Sequence, residues 1–315
     1  MITYIVKRVL SLIPVLGVVA VVVFALVHLS PGDPASVILG PDASAADVDR
    51  LRGELGLNRP IPQQFFLWLG NALTGDLGSS LYNGTPVTEV FLDYFRPTLS
   101  LAIFAQIIGI AVALPMGVFA ALHRGKAVDG ALMSFALVGI SVPSFLMGLL
   151  LILFFAVFLN WLPVAGYAPL SEGLLTHLEF LLLPAISLGF IQAALITRIT
   201  RSAMLEVMNN AYVKTARAKG LPRAAIVIKH TLRNAFIPIL EIIGQTFTTL
   251  IAGAVVVEFV FNIPGLGQLI VNSVERRDFP VIQGTVLLVA FGYVLINLII
   301  DLIYGIVDPR VRLDQ

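Results

Sequence analysis

Few side chains in this sequence could do chemistry, and their spacing excludes most of it. Nucleotide binding by a glycine loop needs G-x-x-x-x-G-K-[ST], whose backbone amides cradle phosphates. The nearest approach, Ala-Ala-Leu-His-Arg-Gly125-Lys126-Ala127, lacks the first glycine and the final hydroxyl. There is no Cys, so disulfides, thiolate metal sites and cysteine nucleophiles are out. His28, His123, His177 and His230 fall in separate segments without the spacing of metal ligands, so interfacial or solvated roles suit them better. No Gly-x-Ser-x-Gly or His-Glu-x-x-His pattern occurs, which leaves a membrane-embedded hydrolase without a nucleophile–base pair. No catalytic, cofactor-binding or metal residue is therefore expected in this chain. Any ATP and magnesium would be bound by other chains.

What remains are polar groups inside apolar runs. Glu241 stands near the entry of one run and Asp301 near the end of another. An ion-coupled carrier would want such acids near the middle of a span; at the edges, pairing with loop Lys or Arg is the simpler reading. Gln106, Gln192 and Gln245 lie deeper. Neutral amides there either hydrogen-bond between helices or line an aqueous path.

These groups have to be positioned by membrane-spanning helices. Of 315 residues, 58% are hydrophobic and only 12% charged, against roughly 25% charged in a soluble domain. Apolar stretches run from about Val9 to Leu29, Pro97 to His123, Gly130 to Leu159, Phe180 to Thr197, Ala235 to Val257 and Phe279 to Ile306. Each approaches the roughly 20 residues that cross a bilayer. The first is too long for a signal peptide's apolar core of about 7–15 residues, so it is expected to be retained. The fold predicted is all-α, with six spans and a small helical external domain. The domains expected are 1–29, a first span; 30–96, the external domain; 97–306, a five-span core; and 307–315, a tail.

Ser30-Pro-Gly-Asp-Pro34 cannot extend a helix and closes the first span. Within 30–96, Ser44-Ala-Ala-Asp47 resembles a capping box opening a helix that ends near Gly56, and Pro62 starts another carrying Phe65, Phe66, Trp68 and Leu69. A third short helix, Val87–Phe95, follows the Gly75–Ser80 turn. Asn160-Trp-Leu-Pro163 and Gly166-Tyr167 read as an interfacial turn.

Fourteen of the 20 Lys and Arg residues fall on one side of this topology, eight of them between Arg198 and Arg233. The positive-inside rule places both termini and that basic segment in the cytoplasm, and 30–96 outside. Basic charge in such a loop follows from topology alone and does not argue for nucleic acid. The segment's punctuation is more specific. Asn209 or Asn210 can cap Ala-rich AYVKTARAK, Gly220 suits a left-handed helix stop, and Pro222 follows it. A second helix, Arg223 to Phe236, carries Ala225, Ile228, Leu232 and Phe236 as a stripe. Residues 209–236 thus predict a protruding elbow on which another protein can push.

The chain resembles the permease subunits of bacterial ATP-binding-cassette importers for dipeptides, oligopeptides, glutathione and nickel (the DppB/OppB type), over nearly its whole length. The likeness rests on an ordered series: Pro31-Gly-Asp-Pro34, Leu55-Gly-Leu57 with Pro60, Gly75-Asp-Leu-Gly78, Arg96-Pro-Thr-Leu99 and Thr200-Arg-Ser202. It continues with Tyr212-Val-Lys-Thr-Ala-Arg-Ala-Lys-Gly220, Leu232-Arg-Asn-Ala235 with Ile237-Pro238, Phe261-Asn-Ile-Pro-Gly-Leu-Gly267 and Asp308-Pro309. The resemblance implies a type-I importer permease of the bacterial inner membrane, one half of a peptide or glutathione-like pathway working by alternating access. It makes the elbow a coupling helix, whose Glu-Ala-Ala…Gly motif falls on Lys214, Thr215, Ala216 and Gly220, with Arg217 beside them. Lys214 and Thr215 depart from that pattern, so docking would rest on helix shape, small residues and basic side chains. Implied partners are a paralogous permease, two ATPase subunits or domains, an external substrate-binding protein and the bilayer. Asn262, Pro264, Gly265 and Gly267 become candidates for an outer gate, beside the plainer reading of a turn and interfacial helix. A stand-alone secondary carrier or channel for a small polar solute is the alternative.

Overall fold

The computed structural model describes residues 2–29, 34–40, 43–54 and 56–307. Residues 30–33 of the SPGDP turn, Leu55, and the tail from 308 with its Asp-Pro pair lie outside the described residues. In chain order the helices are α1 (Ile2–Leu29), α2 (Pro34–Leu39), α3 (Ala45–Glu54), α4 (Ile61–Leu73), α5 (Val87–Leu122), α6 (Ala127–Ser141) and α7 (Ser144–Leu151). There follow α8 (Leu174–Met208), α9 (Ala211–Ala218), α10 (Arg223–Ala225), α11 (Arg233–Gly253), α12 (Val255–Val260), α13 (Leu266–Arg276) and α14 (Phe279–Val307). Wider π-helical turns extend α7 over Ile152–Phe158 and join α10 to α11 over Ile226–Leu232. Among the described residues there is no strand, only an isolated bridge between Ser79 and Pro86.

Among the described residues, four helices are long and apolar enough to cross a membrane: Val87–Leu122, Leu174–Met208, Arg223–Ile251 and Phe279–Ile300. Ala127–Ser141 and Ser144–Phe158 together make a fifth crossing if the bent pair is one span. In α1, Leu10–Leu26 is apolar among the described residues. Three expectations change. The short helix expected at Val87–Phe95 and the second span are one helix of 36 residues that passes through Pro97. Proline deletes a single backbone donor there, and the turns after it are held by buried Thr98, Leu101 and Ala102. The third span is expected as one helix, but the chain there forms two, bent by 102° at the break between Ser141 and Ser144. Val142 is extended (φ −87°, ψ 120°) because Pro143 disfavours helix in the residue before it. The fifth span starts at Arg223 rather than Ala235 and stops at Gly253.

The chain divides into two compact units, residues 1–96 with 265–298, and residues 97–264 with 299–315. In the first unit, Val87, Phe91, Leu266, Leu269 and Val281 form a buried cluster. Asp278 accepts hydrogen bonds from the Ser80 hydroxyl (2.5 Å) and the Leu81 amide (3.1 Å), fixing the turn after Gly78 to the corner before α14. The Arg276 guanidinium lies 5.3 Å from the Tyr82 ring centroid. Phe24 of α1 meets Phe65 and Trp68 of α4 at ring centroid distances of 5.3 and 5.8 Å. Ser44 opens α3 as expected: its hydroxyl accepts the Asp47 amide at 3.2 Å and donates to the Asp47 carboxylate at 2.6 Å.

The second unit is built on α8, whose Leu181, Leu188, Ile196 and Met204 are buried. In lipid, helices gain little from hiding apolar area and associate through close packing of small residues. A Cβ on Gly189 would lie 2.7 Å from the Ala105 carbonyl, and one on Gly117 would lie 2.6 Å from Thr200 Cβ. These two glycines let α5 and α8 approach at both ends of their crossing. Larger side chains fill the space between α5, α8, α11 and α12, with Leu101, Leu183, Leu250, Val257 and Ile263 in one cluster.

Candidate functional site

The elbow begins where α8 ends. Asn209 closes α8, and Asn210 stands at the N-cap of α9 with extended backbone (φ −66°, ψ 147°) but no side-chain capping bond. After Lys219 the chain turns sharply. The Leu221 amide donates to the Ala216 carbonyl (3.3 Å) and the Gly220 amide to the Arg217 carbonyl (3.0 Å). These are the two bonds of a Schellman stop, which needs a left-handed residue between them. Gly220 supplies it, with φ +77° and open space around its missing Cβ. Glycine is thus required here by backbone conformation and not by crowding.

Of the residues expected to engage a partner, Lys214, Thr215, Arg217 and Gly220 are exposed, while Ala216 is buried with Val213 on the inward face. Ala216 therefore seats the helix, and the outer surface presents Lys214 and Arg217. The Thr215 hydroxyl is used locally, donating to the Ala211 carbonyl at 3.0 Å. Tyr212 ties α9 to the next helix by donating to the His230 carbonyl at 3.3 Å.

The second arm differs from expectation in register. Ile228 is 65% exposed and Phe236 37%, whereas Ile226, Thr231, Ala235 and Ile239 are buried. The step from 226 to 231 is five residues, the repeat of a π-helical turn, and the later steps are four. An α-helical period applied through Ile226–Leu232 therefore selects the wrong face. Thr231 donates to the Ile226 carbonyl at 3.0 Å, satisfying an acceptor inside the widened turn.

The root of the elbow is held by a pair that sequence reasoning missed. Arg201, two turns before the end of α8, donates from Nε to Asp129 Oδ1 at 2.6 Å and from its second nitrogen to Oδ2 at 2.8 Å. Asp129 also accepts the Gly125 amide at 3.0 Å and is buried in the first turn of α6. A carboxylate there also faces the positive end of the helix. One side chain thus ties the loop before α6 to the helix that leads into the elbow. Removing one partner of a fully buried pair costs on the order of 3–5 kcal/mol, and with the Arg201 side chain 27% exposed the cost here falls below that range. The 72-residue separation left no local signal. Glu258, fully buried and accepting the Thr98 hydroxyl at 2.5 Å, was also missed. An acid inside an apolar run was the signal that could have found it.

The three glutamines are not brought together by any bond. Gln106 is buried and donates to the Ile243 carbonyl and the Thr246 hydroxyl, both at 3.1 Å, bridging α5 and α11. Gln192 is buried with its carbonyl oxygen unpartnered. Gln245 is exposed and its side chain reaches Glu241, at 3.5 Å on its own helix. Glu241 is itself exposed and makes no ion pair among the described residues, so the expected pairing with a loop cation is not formed. The side chain of Asp301 lies outside the described residues. At the proposed gate, Asn262 takes a left-handed conformation (φ 50°) and Pro264 follows it; Gly265 caps α13, and Gly267 is buried in its first turn. The Phe261 carbonyl accepts the Gly166 amide at 2.7 Å.

Residues 113–313 match the family model described as "Binding-protein-dependent transport system inner membrane component", and residues 1–102 match the corresponding N-terminal model. The "Probable peptide ABC transporter permease protein y4tP" of Sinorhizobium fredii is 44% identical over 309 residues, covering 98% of this chain and 99% of that protein. The "Glutathione transport system permease protein GsiC" of Escherichia coli K12 is 42% identical over 312 residues, covering 99% of each. Among solved structures, an inward-facing MetNI methionine ABC transporter chain superposes with a TM-score of 0.57 at 20% identity, over 70% of this chain and 97% of that one. That last likeness concerns the fold.

Proposed function

The chain belongs to the binding-protein-dependent transport system inner membrane components, and on that premise we propose that it forms one half of a peptide pathway driven by ATPases in other chains. The solute class is that of peptides or a glutathione-like tripeptide. The single observation that carries the coupling role is the elbow: a short helix with cations outward, closed by a Schellman stop and rooted through Arg201 and Asp129. An ATPase that moves α9 would move α8 with it, and α6 through the ion pair. Alternating access then consists of tilting these rods as a group.

Two nucleotide sites need two elbows, which calls for a paralogous permease beside this chain. The chain itself carries no enzymatic site in this reading. Both termini lie in the cytoplasm after six crossings, α1 being the first. Residues 30–96 meet the external binding protein or shield the mouth of the path. Gln245, exposed on α11, is the best placed of the three glutamines to face solute, and the Asn262–Gly267 turn forms part of the outer gate.

The test is Gly220→Val in the reconstituted transporter. A β-branched residue at φ +77° opposes the helix stop by roughly 1–2 kcal/mol without crowding any neighbour. Transport and solute-stimulated ATP hydrolysis should fall about tenfold together while membrane insertion is kept, a factor set by that strain. Unchanged transport removes the coupling assignment.

A further inference from the structure

One face of α11 is polar along most of its length. Asn234, Glu241, Gln245 and Thr249 are exposed and fall on a single stripe, at steps of seven, four and four residues. The side turned away from it is packed, with Ile239, Thr246 and Leu250 buried. A hydrocarbon core of about 30 Å takes about 20 residues of helix. Every window of that length along Arg223–Ile251 includes Glu241. The carboxylate is therefore inside the membrane wherever the bilayer is centred on this helix.

The surroundings of the stripe decide what meets it. A carboxylate facing lipid is costly, and such groups turn to a partner or to a water-filled space. Among the described residues Glu241 forms no ion pair, and only the Gln245 amide, at 3.5 Å, is recorded against it. A neighbouring helix suits the stripe poorly. Where helices of this unit pack closely they do so at glycine: Gly189 on Ala105, Gly117 on Thr200 and, on another side of α11, Gly244 on Ile300. Gln106, the polar side chain between α5 and α11, is neutral and bonded across, to Ile243 and Thr246. The stripe instead holds a carboxylate and no glycine or alanine, and its Thr249 hydroxyl donates to the Gln245 carbonyl of its own helix. Water is the neighbour that remains.

A lone carboxylate in an aqueous path holds a cation. A metal ion wants several ligands, and no group of three or more His, Cys, Asp or Glu is so placed among the described residues. An ammonium group is satisfied by one carboxylate, in a charge-assisted hydrogen bond. We propose that Glu241 is a specificity residue of the path, accepting the α-ammonium group of the peptide, while the Gln245 amide one turn on donates to the adjacent carbonyl. Only the terminus that all peptides share is gripped, so side chains of many kinds pass and amine-blocked peptides are disfavoured. This deepens, and rests on, the peptide pathway proposed above.

The chain has no cysteine, so a single one can be labelled in the complete transporter assembled with cysteine-free partners. Proteoliposomes receive the binding protein, ATP and a hydrolysate of short peptides, and imported peptides are read by mass spectrometry. Glu241→Cys should import about tenfold less, the factor for losing a hydrogen bond to a charged group. Sulfonatoethyl methanethiosulfonate, which puts an anion back, should recover most of that loss, whereas its trimethylammonium counterpart should lower uptake further. An acid with a purely structural role would not be rescued by one sign of charge alone. Gln245→Cys and Thr249→Cys should react with both reagents, and Ile239→Cys, at a buried position, with neither. Glu172→Gln, at an exposed acid outside the spans, should import normally. Unchanged uptake by Glu241→Cys overturns the proposal, as does an equal response to the two reagents. Failure of all three stripe cysteines to react, with or without ATP, also overturns it, since lipid or a neighbouring helix would then cover them. The two readings fail separately: peptides imported without rescue by the anion sink the ammonium contact alone, whereas a wild type that imports no peptide sinks the peptide pathway and the contact with it.

Discussion

The tip and the root of the elbow are held by different kinds of bond. At the tip, Lys214 to Gly220 keep their shape through backbone bonds spanning at most five residues, and Lys214, Thr215 and Arg217 are exposed. At the root, Arg201 reaches Asp129 across 72 residues, and Ile226, Thr231, Ala235 and Ile239 are buried. A contact surface can be built from interchangeable exposed groups, because only outline and charge matter there. A lever cannot, since displacement passes only through groups with fixed partners on both sides. Under the proposed coupling role, this lets Lys214 and Thr215 stand where the resemblance places Glu and Ala while the elbow keeps its form.

The contrast can be broken most severely at the root. Arg201→Met leaves the Asp129 carboxylate without its cation, so we expect transport to fall more than tenfold, at about 2–3 kcal/mol for a pair whose cation is partly solvated. Asp129→Asn should behave similarly, and the Asp129→Arg/Arg201→Asp exchange should restore part of the activity. Proteoliposome uptake with parallel ATP hydrolysis measures both; normal uptake by Arg201→Met would show that the root carries no force.

A medium effect sharpens the register of the second arm. Ile226→Asn places an amide on the buried face and should lower the yield of assembled transporter severalfold, at about 1–3 kcal/mol for an unsatisfied polar group. Ile228→Asn, on a residue 65% exposed, should leave assembly within twofold. Equal damage by the two would refute the π-helical register.

The smallest effect belongs to the tip. Lys214→Gln removes one exposed cation and should weaken the dependence of ATPase association on salt, with little change at high ionic strength. Titrating association against salt would show it; a collapse of transport at high salt would place Lys214 among the structural residues instead.

The elbow's first arm was readable locally. Ala-rich sequence, Gly220 and Pro222 define a helix and its stop within twelve residues, and the Schellman bonds follow that punctuation. The second arm was misread because apolar periodicity assumes 3.6 residues per turn, and nothing in Ile226–Leu232 announces a wider one. Pro97 and Pro143 show the same limit. The first sits inside a continuous helix and the second separates two helices, although both are prolines in apolar runs. Packing decides between them: buried Thr98 and Leu101 hold the turn after Pro97, whereas Val142 takes the extended form that its proline favours.

The amino-acid order alone settled the helical membrane class, the bias of positive charge and the place of the elbow, because composition and glycine–proline punctuation act over a few neighbouring residues. It could not decide which acid meets which cation, or which face of a helix turns inward. Asp129 finds Arg201, and Gly117 admits Thr200, only after α5, α6 and α8 have packed, since attraction and exclusion at such short range depend on where distant segments come to rest.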